Sequence, residues 1–555
     1  MPYYPTRRVT VIARDPSVQV RGALLRASVE IPNEELQAGP RGYRVQVVDY
    51  DSSTGALYRT VTKPANRADG PPGDPFEKAG DEELLESVDF HAMNAYAIVM
   101  RTLARFESAL GRRVGWSFPG HQVKVAPHAF AGANALYSAE DEALLFGYFR
   151  RPGDGRPVFG CLAHDIIAHE TTHALLDGLR ERYTDPSSPE QAGFHEGFAD
   201  IVALLSVFAL PEVVEKALDP AGEADRIPAA VVATAALKKS MLLGLGHEFG
   251  QELSGVRGNA LRRSVTLRPE QARARDDEPH HRGEVLVAAI MDAFLNVWIG
   301  RLLPYIHQDS LDRRRAVEEG AAVADRLLTI CIRALDYCPP TDLQFSDFLS
   351  AALTADWEMT PRDVKYLFRD ALRLSFARFG IRAASVGRGE PGAWDAPGEE
   401  PAYDRTHFEE MQRNPDELFR FVWENRRVFR LHENAWTRVL SVRPSVRTGA
   451  DGFALRETVV EYLQLLRVRA AELRGLGLNR PRGMAGTREV TLYGGNVMIF
   501  DQFGRVKYNI GNSLFNRTRQ QARLNYLWES GFFETAVTPA NRFASIHRRR
   551  MAEFR

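Results

Sequence analysis

Two histidines four residues apart, with a glutamate directly after the first, form the most chemically informative group in the chain. They are His169, Glu170 and His173. On a helix, positions i and i+4 share a face, so both imidazoles can bind one metal ion while Glu170 reaches the open coordination position. Glu196, at the start of a second apolar helical run, completes the two-histidine, one-glutamate set typical of catalytic zinc. Asp200, one turn later, can accept the second N–H of a ligand histidine.

The residues around this motif predict that it lies on a buried helix. Apolar residues flank it on both sides, at 166–168 and 174–176. The same pattern also arises by chance on surface helices, where nothing lies behind it. Two histidines and a glutamate inside an apolar helix are costly without a partner, which favours a metal site over a chance occurrence.

Composition argues against several functional classes. The chain has 555 residues, of which 44% are hydrophobic and 26% charged, as in ordinary globular proteins, and its length corresponds to about three domains. A net charge of −1 provides no general attraction to nucleic acid or to anionic membranes. We therefore expect neither as a partner, and we expect the basic run at 547–550 to be a solvated tail.

Cysteine usage and apolar runs predict a location. Cys161, Cys331 and Cys338 form a sparse, odd set in apolar surroundings, which favours buried thiols in a reducing compartment, although Cys331 and Cys338 could pair. The N-terminal sequence has no signal-peptide core, and no apolar run approaches the ~18 residues that a spanning helix needs. The expectation is a cytoplasmic protein without a transmembrane segment.

Hydrophobic periodicity divides the chain into five regions. Short strand patterns predict a β-rich region at 1–80, and a long helical pattern at 81–110 opens a region at 81–195 that also holds strands and the zinc helix. Helical patterns dominate 196–385, and Gly and Pro mark a linker at 386–402. The region 403–555 is expected to be α+β, with helices at 404–425 and 455–473, a hairpin at 490–510 and a last helix ending near Glu529.

The motif and the downstream Glu-x-x-x-Asp together resemble the gluzincin metallopeptidases, and among these the thermolysin-like family. Further segments agree in order: 132–137 with 145–148 is similar to that family's substrate-binding edge strand, and 279–283 to the start of its histidine-bearing helix. The resemblance covers roughly 80–381. It implies an α+β fold with a β-rich N-terminal lobe, a mainly helical C-terminal lobe and a cleft between them, to which 403–555 would be an addition.

The resemblance also implies roles for individual residues. One Zn²⁺ per chain is bound by His169, His173 and Glu196, with water in the fourth place and Glu170 as the base. Tyr183 and His280, for which the neighbouring His281 is an alternative, stabilise the oxyanion. The remaining implied roles belong to residues that orient the catalytic histidine or bind the substrate, and these are Asp276 or Asp277, Asn134, the backbone of Ala135, and Arg262 or Arg263.

Two departures from the family pattern bear on ligands. Asp165 matches a carboxylate that helps to bind calcium in the family, but Val207 occupies the position of its partner, so calcium is not expected there. His195 replaces the usual asparagine before Glu196, which leaves open what orients His173.

These features predict an intracellular zinc metalloendopeptidase that acts on restricted protein or peptide substrates. An aminopeptidase is the alternative within the same superfamily, although the Gly-x-Met-Glu-Asn strand of that branch does not occur here. A catalytically silent metal-containing scaffold is the alternative outside enzymes. The region 403–555 carries no catalytic group and is expected to pack or to recognise a regulatory or targeting partner.

Overall fold

A computed structural model describes residues 5–16, 19–20, 22–59, 73–151, 155–185, 187–218, 225–243, 266–273, 279–448, 452 and 454–533. Within these residues the protein is a mixed α+β structure, as expected. The N-terminal strands pair as β1 with β4, β2 with β3 and β6 with β7, all antiparallel. Their bounds are β1 Thr6–Ile12, β2 Gln19–Val20, β3 Ala23–Leu24, β4 Arg26–Pro32, β5 Val45–Val47, β6 Asp49–Asp51 and β7 Ala56–Tyr58.

A five-stranded mixed sheet lies beside the predicted zinc motif. Its order is β11-β10-β8-β5, and β9 pairs with β10 alone among the described strands. β10 runs parallel to β8 and antiparallel to β9 and β11. The bounds of the added strands are β8 Val123–Ala131, β9 Ala135–Ser138, β10 Ala143–Arg150 and β11 Pro157–Phe159. The predicted strand at 134–137 is therefore present, at the sheet position next to the motif.

Helices form most of the remaining structure up to residue 378. They are Asp81–Glu86, Val88–Leu110, His164–Leu179, Pro189–Phe208, Pro211–Leu218, Thr234–Leu243, Pro269–Arg273, Pro279–Leu302, Arg313–Ala334, Phe345–Met359 and Phe368–Arg378. Short 3-10 turns occur at Gly160–Leu162, Ala229–Val232, Leu303–Tyr305 and Leu335–Tyr337, and a small ribbon joins β12 Arg226–Pro228 to β13 Ser310–Asp312.

The helix predicted at 81–110 is two helices. Ser87 separates them, and its hydroxyl accepts the Phe90 N–H, which caps the second helix. That helix, Val88–Leu110, is buried along most of its length, and one large hydrophobic core includes residues from it, from the motif helix and from the N-terminal strands.

One described helix, His281–Tyr305, is long and apolar enough to cross a membrane, and 78% of its most apolar window is buried inside the protein. The helices Pro189–Phe208 and Pro211–Leu218 pass the same test only as a pair that bends by 80°. The apolar surface of this helix is buried against other helices, mainly Pro189–Phe208 and Phe368–Arg378.

The C-terminal region is built on an antiparallel sheet of order β14-β15-β16-β17, with bounds Trp436–Thr448, Ala454–Arg469, Glu489–Phe500 and Val506–Asn512. The helices around it are Phe408–Met411, Pro415–Glu424 and Arg517–Glu529, with a 3-10 turn at Ala470–Leu476. The hairpin and the last helix were predicted correctly. The prediction of a helix at 455–473 was wrong, since most of this segment is β15. The strand is buried on both faces, so its sequence does not alternate between apolar and polar residues.

This sheet, named here the C-terminal sheet, shares the large hydrophobic core with the motif helix. One face contributes Val459, Val497 and Ile499 to the large core, and the other packs on Pro415–Glu424. The predicted linker 386–402 also contacts the helical half, where Trp394 donates its indole N–H to the Tyr337 carbonyl at 2.9 Å.

Buried ion pairs join the C-terminal sheet to the helices that precede it in the chain. Asp336 accepts two hydrogen bonds from Arg112, at 2.6 and 2.7 Å, and another from Arg447 of β14. Arg447 also donates to Glu457 at 3.0 Å, and Arg180 at the end of the motif helix donates to Glu461 at 2.8 Å. Burial by itself raises the pKa of Asp336, but the guanidiniums of Arg112 and Arg447 outweigh it and hold that pKa well below its usual range.

Asp336→Asn should destabilise the protein by about 3–5 kcal/mol, because the buried guanidinium of Arg112 loses its carboxylate and that of Arg447 keeps only Glu457. Urea unfolding followed by circular dichroism measures this free energy. Asp370→Asn is the matched control, since it removes an exposed carboxylate whose ion pair with Arg373 is worth about 0–1 kcal/mol. Equal effects of the two substitutions would show that the buried pairs do not stabilise the junction.

Candidate metal centre

The two motif histidines lie on one face of a buried helix, His164–Leu179, which we call the metal helix. His169 and His173 are separated by one turn, and their Nε2 atoms are 2.8 Å apart. Both residues are buried. The apolar residues on either side of the motif explain this position, because Ile167, Ala168 and Ala174–Leu176 all belong to the large core.

Glu196 brings a third ligand atom to the same point. Its Oε2 lies 3.7 Å from Nε2 of His169 and 3.9 Å from Nε2 of His173. A tetrahedral zinc ion with bonds of ~2.0–2.1 Å separates its ligand atoms by roughly 3.3 Å, and the three observed distances lie on both sides of this value. The three residues are buried and form a group that could hold a metal ion.

Glu196 comes from the middle of a helix, Pro189–Phe208, which we call the carboxylate helix. The prediction that Glu196 opens this helix was wrong. Ser188 accepts the Gln191 N–H as N-cap and Pro189 is the first helical residue, an arrangement that starts the helix seven residues before Glu196. The two extra turns pack Gly193 and Phe194 against neighbouring elements and fix Glu196 opposite the metal helix.

Two side chains orient the histidine ligands. The Nδ1–H of His169 donates to Oδ1 of Asp200 at 2.7 Å, as predicted, which leaves its Nε2 lone pair for a metal ion. Nδ1 of His173 lies 2.9 Å from Nδ1 of His195, and the two rings stack with centroids 4.8 Å apart. The sequence left open which side chain orients His173, and the structure places His195 in contact with its Nδ1.

Glu170 lies beside the ligand group and is fully buried. Its Oε2 accepts the backbone N–H of Tyr137 in β9 at 2.9 Å. Strand β9 thereby fixes the carboxylate relative to the metal helix, and the same strand is the one that the sequence predicted to bind substrate.

The structure does not bring Tyr183 to the ligand group. Its hydroxyl donates to the Pro339 carbonyl at 2.8 Å, and its ring packs edge-on against Phe194 inside the core. Burial raises the pKa of this hydroxyl, so it stays a donor to Pro339. The expected oxyanion role has no support in this arrangement, and the signal for it was only the distance of ten residues from His173.

Asn134 and Ala135 lie at the start of β9. Oδ1 of Asn134 accepts the N–H of Ala135 at 2.9 Å, and the Asn134 carbonyl accepts the N–H of Gly147 at 2.8 Å. The amide side chain therefore shapes the end of the strand, and its role in binding substrate stays a prediction.

Several predicted residues lie outside the described residues. These are Arg262, Arg263, Asp276 and Asp277, together with the side chain of His280. The backbone of His280 and His281 is in the first turn of the helix Pro279–Leu302. Arg282 in the same turn pairs with Glu190 at 3.0 Å, which ties this helix to the start of the carboxylate helix.

A glycine contact sets the distance between these two helices. A Cβ at Gly197 would lie 2.8 Å from the carbonyl oxygen of Gly283, and a Cβ at Gly283 would lie 2.9 Å from that of Gly193. The helices touch through their backbones next to Glu196. The sequence contained this signal as two glycines four residues apart on one helix face, opposite Gly283.

A cavity of about 390 Å³ lies against the end of the metal helix, and neither the three ligands nor Glu170 is part of its wall. Tyr137 and His195, which contact Glu170 and His173, belong to its wall. Strands β14 and β15 supply another part of the wall, through Arg443 and Glu461. Sequence reasoning missed these two residues, because only the tertiary fold brings them near the motif.

Asp165 lies on the metal helix, and burial followed by the neighbouring Asp15 raises its pKa to about 6 against the opposing charge of Arg14. The carboxyl group is therefore protonated more readily than an exposed aspartate. Its surroundings are those of a buried acid beside one carboxylate and one guanidinium.

No protein-family model matches the chain, and no curated protein matches it either.

Asp200→Asn should weaken zinc binding by about 10–100-fold, because His169 loses the carboxylate that fixes its tautomer. Competition with a chromogenic zinc chelator measures the affinity. Asp165→Asn is the control, since it removes a carboxyl group one turn before His169 that the structure does not place among the ligands. Unchanged affinity in Asp200→Asn would contradict the orienting role.

The raised pKa of Asp165 predicts a pH effect on stability. Between pH ~4 and ~6 the folded protein keeps a proton that the unfolded chain has lost, so this group's contribution to stability is lost as the pH rises through about 6. Asp165→Asn should therefore gain stability relative to wild type from pH 4.5 to pH 7. Urea midpoints at several pH values test this, and a constant difference would contradict it.

Proposed function

We propose that this protein is a zinc-dependent peptidase of the thermolysin-like type. The convergence of the ligand atoms of His169, His173 and Glu196 is the observation that supports the proposal best. Two neutral imidazoles and one carboxylate are the donor set of catalytic zinc sites with an open position. The buried ligand group fits that ion in donor type, number and spacing.

A zinc ion held by these residues would act as a Lewis acid and lower the pKa of a water molecule in the site. The chain supplies the base. Glu170, held by the Tyr137 N–H, is positioned to take a proton from water and to deliver it to the leaving amine. Asp200 and His195 keep the Nε2 atoms of the ligand histidines directed at the site.

Strand β9 suits a peptide substrate. It pairs on one side with β10, and the N–H of Tyr137 on its other side reaches Glu170. An extended peptide that adds to this edge through main-chain hydrogen bonds would compete with Glu170 for the Tyr137 N–H, and it would bring its backbone next to the base, whatever its side chains are. This geometry favours peptide bonds over other hydrolysable bonds.

The burial of the ligand group supports a restricted substrate range. The three ligands and Glu170 are all buried, so a folded domain would not reach them. We infer that extended segments are the substrates. Cytoplasmic location and a regulatory or targeting partner for 403–555 stay predictions.

Glu170→Gln should lower peptidase activity by about 10²–10⁴-fold while zinc content stays the same, because the base is lost and the ligands are not. Mass spectrometry of a complex peptide mixture, incubated with the zinc-loaded protein, detects the new termini. Glu318→Gln, an exposed carboxylate on Arg313–Ala334, is the control and should cleave as wild type does.

The positions of the new termini separate the alternatives. Internal cleavage by wild type supports an endopeptidase, and stepwise loss of N-terminal residues would assign an aminopeptidase. If wild type and Glu170→Gln give the same termini, or none while zinc is bound, the proposed peptidase is wrong and a metal-containing scaffold remains.

A further inference from the structure

A second group of side chains that can bind a metal ion is buried in the protein, apart from the predicted motif. His91 comes from the helix Val88–Leu110, His128 from β8 and Cys161 from the turn Gly160–Leu162. All three are buried, and each offers one ligand atom within 4.8 Å of the other two. Sequence spacing does not reveal the group, because its members are 37 and 33 residues apart.

Each of the two imidazole rings, of His91 and His128, has one nitrogen that faces the other ring and one that faces away from it. The hydrogen bond at the nitrogen that faces away determines the protonation of the other nitrogen. Nδ1 of His128 lies 2.7 Å from Oδ2 of Asp49, and Nε2 of His91 lies 2.9 Å from the carbonyl oxygen of Leu85. Both oxygens only accept, so both of these nitrogens carry hydrogen. In neutral rings the remaining nitrogens, Nε2 of His128 and Nδ1 of His91, then direct lone pairs at each other.

These two nitrogens are only 2.9 Å apart. Facing lone pairs at that distance repel unless a positive charge lies between them. The sulfur of Cys161 is next to both, and a thiolate with two imidazoles is a donor set that zinc accepts. The same arrangement, two histidine nitrogens at contact distance with their outer nitrogens occupied, recurs at the motif.

The negative charge of the carboxylates around the group also favours a bound cation. Asp49 and Asp51 are both buried here, and Asp49 holds His128 through its backbone N–H as well as its ring. Among the described residues neither carboxylate pairs with a lysine or an arginine, and Asp51 accepts from Ser53, Thr54 and Tyr148. A divalent ion would offset the charges of the Cys161 thiolate and the Asp49 carboxylate, while the hydrogen bonds from Ser53, Thr54 and Tyr148 stabilise the charge of Asp51.

We propose that His91, His128 and Cys161 bind a second zinc ion, with Asp49 as the carboxylate that orients His128. The ring of Phe159 packs on both histidines, with centroids 4.7 and 5.2 Å away, and Tyr58 covers His128 at 5.3 Å. Aromatic rings thus enclose the site.

The second ion would position the metal helix. Cys161 precedes His169 by eight residues, in the turn that leads into that helix. Asn94, one turn after His91, donates to the Cys161 carbonyl at 2.9 Å and accepts the Ile12 N–H of β1. One zinc ion here would join β8, the helix Val88–Leu110 and the start of the metal helix, so it is a positioning element for the motif.

Metal analysis of the full-length protein tests this directly. We expect two zinc ions per chain in wild type, one in Cys161→Ser and one in Glu196→Gln, in which the motif lacks its carboxylate. After replacement of zinc by cobalt, wild type and Glu196→Gln should show a thiolate-to-cobalt charge-transfer band in the near ultraviolet. The motif contains no sulfur ligand, so this band reports the second site alone.

Cys331→Ser is the matched control, because it makes the same change at an equally buried thiol outside both ligand groups, and it should keep two zinc ions and the band. The Glu196→Gln spectrum leaves the new site intact, so the test survives if Cys161→Ser does not fold. One zinc ion per chain in wild type with no band would overturn the proposal, and a proton between the rings would then explain their contact. That result would leave the peptidase proposal unaffected.

Discussion

The cost of burying polar ligands in an apolar core is the constraint on which the rest of this structure depends. His169, His173, Glu170 and Glu196 lie among aliphatic residues, where unpaired imidazoles and carboxylates are strongly disfavoured. Each neighbouring element reduces that cost in a definite way. Asp200 and His195 occupy the outer ring nitrogens, β9 donates to Glu170, and the glycine contact beside Glu196 holds two helices at backbone distance. The ligand atoms of His169, His173 and Glu196 meet at one point, and this donor set suits a divalent cation.

The C-terminal sheet is joined to the helices around the site. Buried ion pairs from Asp336, Glu457 and Glu461 join it to the helices that precede it in the chain, and one of their partners, Arg180, directly follows the metal helix. The sheet also contributes to the cavity wall beside His195. A region that the sequence predicted to be an addition therefore packs against the end of the metal helix and shares a cavity wall with His195.

Local signals predicted the site better than the fold around it. The motif, its helix, Asp200 and the strand at 134–137 follow from spacing and periodicity over a few residues, and they are present. The helix expected at 455–473 is β15, because burial on both faces removes the alternation that marks a strand. The start of the carboxylate helix was missed at Ser188-Pro189, and Tyr183 was placed by distance along the chain although its hydroxyl belongs to Pro339. Contacts between distant segments, such as His91 with His128 and Arg180 with Glu461, have no local signal at all.

Anomalous diffraction from crystals of the zinc-loaded protein, recorded on both sides of the zinc absorption edge, would show whether the motif binds zinc. We expect a zinc peak bonded to Nε2 of His169, Nε2 of His173 and a carboxylate oxygen of Glu196, at ~2.0–2.2 Å from each. A difference map without a peak among these three residues, in protein that contains zinc, would contradict it.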